Sequence, residues 1–95
     1  MLGITDANIS LARAGAVAQY VSGVVLFCGG QSLANPVHRD CLMYNPHQDS
    51  WTNFTSLKKG RDEAAITALK NITYVIGGIG ERTVEFIDMT KLQVN

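Results

Sequence analysis

An all-β fold of four-stranded antiparallel units is predicted for this chain by three observations. Short β-prone runs are joined by two-residue turns, the pattern of hairpins. Two landmarks recur at a spacing of 48 residues: Arg13 with Arg61, and Gly29-Gly30 with Gly77-Gly78. The runs Val24-Val25-Leu26-Phe27-Cys28 and Tyr74-Val75-Ile76 do not alternate with polar residues. Such runs suit strands covered on both faces.

The elements follow in order. Ala16 to Val21 is the first predicted strand, Ser22-Gly23 its turn, and Val24 to Cys28 the second. The loop Gln31 to Asp40 leads to a third, Cys41 to Tyr44. The breaker-rich turn Asn45-Pro46-His47-Gln48-Asp49 precedes a fourth, beginning near Trp51. Leu57 to Gly60 connects to the second unit. There Ala64 to Leu69 turns at Lys70-Asn71 into Ile72 to Ile76, then come Val84 to Asp88 and Lys91 to Asn95. The apolar positions match across the repeat: Ala16 with Ala64, Val21 with Leu69, Val24 with Ile72, Val25 with Thr73, Cys28 with Ile76. Four short strands per unit at this period is the pattern of a β-propeller blade. The expected organisation is 1–12 as the end of a preceding blade or a linker, 13–60 as one repeat, and 61–95 as an incomplete second.

With 95 residues there is room for one small domain. Such a domain buries only roughly 60–65% of its unfolded surface. These residues are therefore expected to belong to a longer ring and to be unstable as an isolated monomer. Formal net charge is zero, which gives no general pull on nucleic acid or anionic membrane. The uncharged stretch Ala14 to Val37 is broken by Gly, Ser, Gln, Asn and Pro, so it does not read as a membrane span. The start of the chain does not read as a signal peptide.

Cys28 ends one predicted strand and Cys41 begins the next, so a cross-strand bridge is sterically allowed. The favoured expectation is two buried reduced thiols. Asn8, Asn53 and Asn71 each open an Asn-x-Ser/Thr triplet. With no signal peptide in view, all three read as chance, and Asn71 as a turn residue.

The chain resembles the kelch repeat. The marks are the Gly29-Gly30 pair after an apolar strand, then Tyr44, then Trp51, with Arg61 opening a second unit that ends in Tyr74-Val75-Ile76-Gly77-Gly78. In the second unit Ile87 and Val94 stand where the family's Tyr and Trp fall, and Gly3 holds the Trp position of a preceding unit. The resemblance implies antiparallel four-stranded kelch blades, with Gly29, Gly30, Tyr44, Trp51, Arg61, Gly77 and Gly78 as scaffold. The glycines tolerate positive φ where strands crowd. Trp51 fills the gap between adjacent blades, burying roughly 200 Å².

The resemblance also implies a protein-binding role, with further kelch repeats of the same protein as neighbours. Actin, or a substrate of a cullin ubiquitin ligase, is the implied partner, and the location is cytoplasmic or cytoskeletal. On one expected face lie the loops holding His38, Arg39, Asp40, Lys58, Lys59, Glu81 and Arg82; long loops are where binding residues concentrate. His38 and His47 fall on opposite faces, so no metal site is expected. No cofactor is implied. Gly77-Gly78-Ile79-Gly80 lacks the spacing and following helix of a dinucleotide loop. No Ser, His and Asp are placed together by sequence, so the chain reads as a non-enzyme. The alternative is the blades of a catalytic propeller of the oxidase or isomerase type. Its copper-ligating Tyr and His would have to converge, whereas Tyr20, Tyr44 and Tyr74 read as core strand residues.

Overall fold

A computed structural model describes residues 13–91. The chain is all-β, with two antiparallel sheets. Strands β1 (Val17–Val21), β2 (Val24–Cys28), β3 (Asp40–Asn45) and β4 (Ser50–Ser56) form a four-stranded meander in sequence order. Strands β5 (Ala65–Leu69), β6 (Ile72–Ile76) and β7 (Val84–Asp88) form a three-stranded one. The predicted hairpins and the strand over 84–88 are present, with ends shifted by a residue or two at most. The expected last strand is not seen at its start: Lys91 closes a 3-10 turn, Met89–Lys91. The rest of that segment, including Val94, lies outside the described residues, as do Gly3 and Asn8.

Turn chemistry sets the two tight hairpins. Ser22 and Gly23 take φ of 52° and 84°, and Lys70 takes 55° at the matching turn. Both pairs join strands in continuous register, Val21↔Val24 and Leu69↔Ile72. Tyr44↔Trp51 and Asn45↔Ser50 close the third hairpin, and a bulge between Cys41 and Leu42 bends the β3–β4 ladder.

The Gly pairs take the left-handed backbone expected of them: Gly29 76°, Gly30 93°, Gly77 68°, Gly78 123°. At Gly30 a Cβ would sit 2.8 Å from the Ala14 carbonyl and 2.9 Å from the Ala16 nitrogen. There the chain passes close enough for Gly30 N–H to donate to the Arg61 carbonyl at 2.8 Å. Only glycine fits that approach.

The core lies between the sheets. Val17, Val21, Val24, Leu26, Cys28, Cys41 and Met43 from the first meet Ile66, Ala68, Val75 and Ile87 from the second, sealed by Leu57 and Met89. The strand registers assign the opposite faces. On the first sheet these carry Ala18, Tyr20, Val25, Phe27, Tyr44 and Trp51. On the second they carry Thr67, Leu69, Tyr74, Ile76, Val84 and Phe86.

Two expectations are corrected by this arrangement. Tyr20 is not a core residue: it stands on the outward face of β1, 64% exposed. Tyr44 and Tyr74 are half-buried. Trp51 lies outside the core between these two sheets. It sits half-buried on the far face of the first, its ring centroid 4.9 Å from Tyr44 and 6.1 Å from Phe27. Nor are Cys28 and Cys41 reduced thiols. They stand directly opposite each other in the β2–β3 register, Cα atoms 4.2 Å apart, and are joined as a disulfide.

Candidate functional site

The loops at the Gly-Gly end of the sheets converge. Arg39 carbonyl accepts from Leu57 N–H at 2.7 Å, and His38 carbonyl from Arg61 N–H at 3.1 Å. These bonds tie loop 31–39 to the connection 57–61. Glu85, at the start of β7, takes Lys58 N–H at 2.6 Å and Lys59 N–H at 3.1 Å on its two carboxylate oxygens. Lys59 Nζ reaches Glu81 at 3.4 Å. One end of the molecule therefore gathers Arg39, Lys58, Lys59, Glu81 and Arg82. The exposed apolar side chains Leu33, Val37 and Ile79 stand on the same loops.

Two of the expected loop residues are otherwise engaged. Asp40 opens β3, and its carboxylate accepts both Arg13 Nη1 and Nη2 at 3.0 Å. The Arg13 hydrogen bond, opposed by some burial and helped by charge, holds the Asp40 carboxyl below its ordinary value. His38 is drawn in by the same carboxylate, Nδ1 to Oδ1 3.2 Å, and by Ser32 Oγ at 2.8 Å from Nε2.

Ser32, His38 and Asp40 thus stand in the order of a hydrolytic triad, which sequence spacing did not reveal. Two features weigh against catalysis by this group. Asp40 is neutralised by a bidentate guanidinium, which weakens its support of an imidazolium. Asn35 N–H, at 3.3 Å, donates to the Ser32 oxygen that would have to attack. The second unit repeats the arginine and the carboxylate without Ser or His. Arg61 Nη1 donates to Gly77 O at 2.9 Å, as Arg13 Nη1 does to Gly29 O at 2.9 Å. Arg61 Nε and Nη2 take Glu85 at 3.2 and 3.1 Å. The shared element is an arginine fastening the Gly turn to the next acidic strand residue.

Burial raises the Glu85 carboxyl, and the Lys58 and Lys59 amides together with Arg61 more than offset it, leaving it below its ordinary value. Glu81 is lowered chiefly by the Thr83 hydroxyl, at 2.8 Å, with Lys59 beside it. The other end of the sheets carries the turns. Ser22 Oγ donates to Asn71 Oδ1 at 2.9 Å, and Tyr44 hydroxyl to Asp49 at 2.6 Å. His47 is there too, in the β3–β4 turn and exposed, away from His38.

Among the described residues no group of His, Cys, Asp and Glu is arranged to hold a metal ion, and no helix is long and apolar enough to cross a membrane. Neither a protein-family model nor a curated protein sequence matches the chain.

Proposed function

We propose that the chain is a protein-binding segment of a kelch-type β-propeller, whose loop face at the Gly-Gly end receives the partner. The observation that carries the stacking is an asymmetry of faces. At the 48-residue correspondence, the face of the second sheet in the core (Ala68, Thr73, Val75) matches Tyr20, Val25 and Phe27 of the first. Those first-sheet residues lie on its outward face. The sheets therefore meet through unlike faces, head to tail. Such contacts propagate into rings or arrays, whereas a self-contained two-fold sandwich would pair like faces. Further repeats of the same kind cover the two outward faces.

For binding, the support is the composition of the loop face. Arg39, Lys58 and Arg82 are exposed cations set among exposed Leu33, Val37 and Ile79. Apolar contacts rimmed by charge suit a protein partner. Pull-down with filamentous actin, against pull-down with a cullin scaffold, separates the two partner settings named from the resemblance. Charge reversal at Arg39, Lys58 and Lys59 in the full-length protein is expected to slow association and flatten its salt dependence. Unchanged affinity for the natural partner removes this face from consideration.

The Ser32–His38–Asp40 order favours a second reading, acyl transfer at Ser32. An active-site serine probe that labels the native protein and not Ser32→Ala would establish it.

A further inference from the structure

Thr73 presents a buried hydroxyl that the fold does not use. Its side chain is fully buried, and Oγ1 has no hydrogen-bond partner among the described residues. Its cross-strand neighbours are Ala68 and Ile87. A hydroxyl taken from water into such a site without a partner is destabilising. Valine has the same shape and strands nothing, and valine stands at the matching position 25. What does need the hydroxyl is the triplet Asn71-Ile72-Thr73, an acceptor signal for N-glycosylation. That signal is read on the unfolded chain, so the later burial of Thr73 is no obstacle.

Asn71 is presented for it. The residue is exposed at the tip of the β5–β6 hairpin. The left-handed position of that turn falls on Lys70 and not on Asn71. Its Oδ1 accepts Ser22 Oγ, which leaves Nδ2 as the nitrogen to be linked. A glycosylated amide keeps that carbonyl and hence the Ser22 bond. The second, independent observation is the Cys28–Cys41 disulfide. Persistent disulfides belong to oxidising compartments, and the secretory lumen is where N-glycans are transferred.

We infer that Asn71 carries an N-linked oligosaccharide and that the chain matures in the secretory lumen. The co-reactant is a polyprenyl-diphosphate-linked oligosaccharide. Asn71 Nδ2 attacks the anomeric carbon, the N–C bond forms as the C–O bond to the diphosphate breaks, and the lipid diphosphate leaves while the amide loses one proton. No electrons change hands. Asn53 is exposed as well, but it shares the β4 face with Trp51, where another repeat would stack, so the inference rests on Asn71 alone. A luminal chain also excludes actin and cullin scaffolds as partners, leaving the protein-binding reading itself intact.

The test uses the full native protein, its free thiols alkylated before cleavage, and a glycan-releasing amidase in heavy-oxygen water. A labelled aspartate at 71 is expected in near-complete yield, together with a disulfide-linked Cys28–Cys41 peptide. Full-length variants from secreting eukaryotic cells complete it. Thr73→Ser keeps the label, Thr73→Val abolishes it, and after deglycosylation Thr73→Val melts no lower than wild type. Unlabelled Asn71 in the native protein overturns the inference, as does label surviving in Thr73→Val. A lower melting temperature for deglycosylated Thr73→Val would return the hydroxyl to the fold and remove the argument. Partner binding is read separately, by the charge reversal at Arg39, Lys58 and Lys59, which moves with none of these outcomes.

Discussion

Arg13 and Arg61 make the same bond to equivalent glycines: each Nη1 donates at 2.9 Å to the carbonyl of the residue sixteen places on, Gly29 and Gly77. The carboxylate that completes each anchor is found in the next strand, Asp40 in one unit and Glu85 in the other. The internal repeat is thus a repeat of electrostatics as well as of strands. The two anchors are unequal. Both arginine side chains are 1% exposed, but water reaches Asp40, whose side chain is 42% exposed, more than Glu85 at 14%.

Arg61→Met is therefore expected to destabilise far more than Arg13→Met. Removing Arg61 takes the counter-charge from Glu85, which keeps only the Lys58 and Lys59 amides, and leaves the Gly77 and Thr83 carbonyls without this donor. A cost of about 3–5 kcal/mol is expected for breaking a buried pair on one side. Arg13→Met should cost about 1–2 kcal/mol, since its partner stays hydrated. Denaturant unfolding of both variants in the full-length protein checks the order.

Acid should weaken the fold through the same two carboxylates. Asp40 and Glu85 both titrate below their ordinary values of 3.8 and 4.5 in the folded chain. Groups depressed by folding contribute stability that is complete above the unfolded pKa and lost as pH falls through the folded one. Melting temperature should be flat above roughly pH 6 and fall below about 4.5. Asp40→Asn together with Glu85→Gln should flatten that acid limb while lowering the plateau.

Reduction should also destabilise. The bridge closes a loop between residues 13 apart. Constraint of the unfolded chain over such a loop contributes about 3 kcal/mol. Cys28→Ala/Cys41→Ala, or wild type in reductant, should unfold at correspondingly lower denaturant, and reductant should have no further effect on the double variant.

The repeat, the hairpins and the Gly turns were legible because each rests on local rules: turn residues, alternation and a fixed spacing. What was not legible depends on register across the sheet. The bridge needs Cys28 directly opposite Cys41, and the sequence sets that only through the return path of loop 31–39. Asp40 read as a loop charge because its partner, Arg13, is 27 residues away. The 48-residue spacing of the two arginines was the available signal for both anchors. Trp51 stood out in the motif as a large aromatic, but which face it takes follows from the β3–β4 register and not from the motif.

Trp51 can be tested on that basis. Its indole Nε1 is buried and has no hydrogen-bond partner among the described residues. Trp51→Phe keeps the stacking on Tyr44 and Phe27 and removes the stranded N–H, so it should cost under about 1 kcal/mol. Trp51→Ala should cost about 2–3 kcal/mol, toward the low side for a large aromatic because the ring is only half-buried here. Equilibrium unfolding distinguishes the pair; equal losses would show that the nitrogen, not the ring surface, matters.

The outward face of the second sheet predicts how residues 1–95 behave alone. Register places Ala65, Ile76 and Val84 in one row across the strands, and Thr67, Tyr74 and Phe86 in the next. Phe86 is 70% exposed on it, with Leu69 and Val84 exposed beside it. Strand β7 also leaves its outer edge unpaired among the described residues. An apolar sheet face next to an open edge favours association between chains. The isolated 95-residue chain should sediment as oligomers or aggregates and bind a hydrophobic dye. Phe86→Lys with Val84→Thr should shift it towards monomer and reduce dye binding, because charge on an edge strand opposes pairing. A monodisperse 10.3 kDa species with a cooperative melt in the unsubstituted chain would show that this face needs no neighbour.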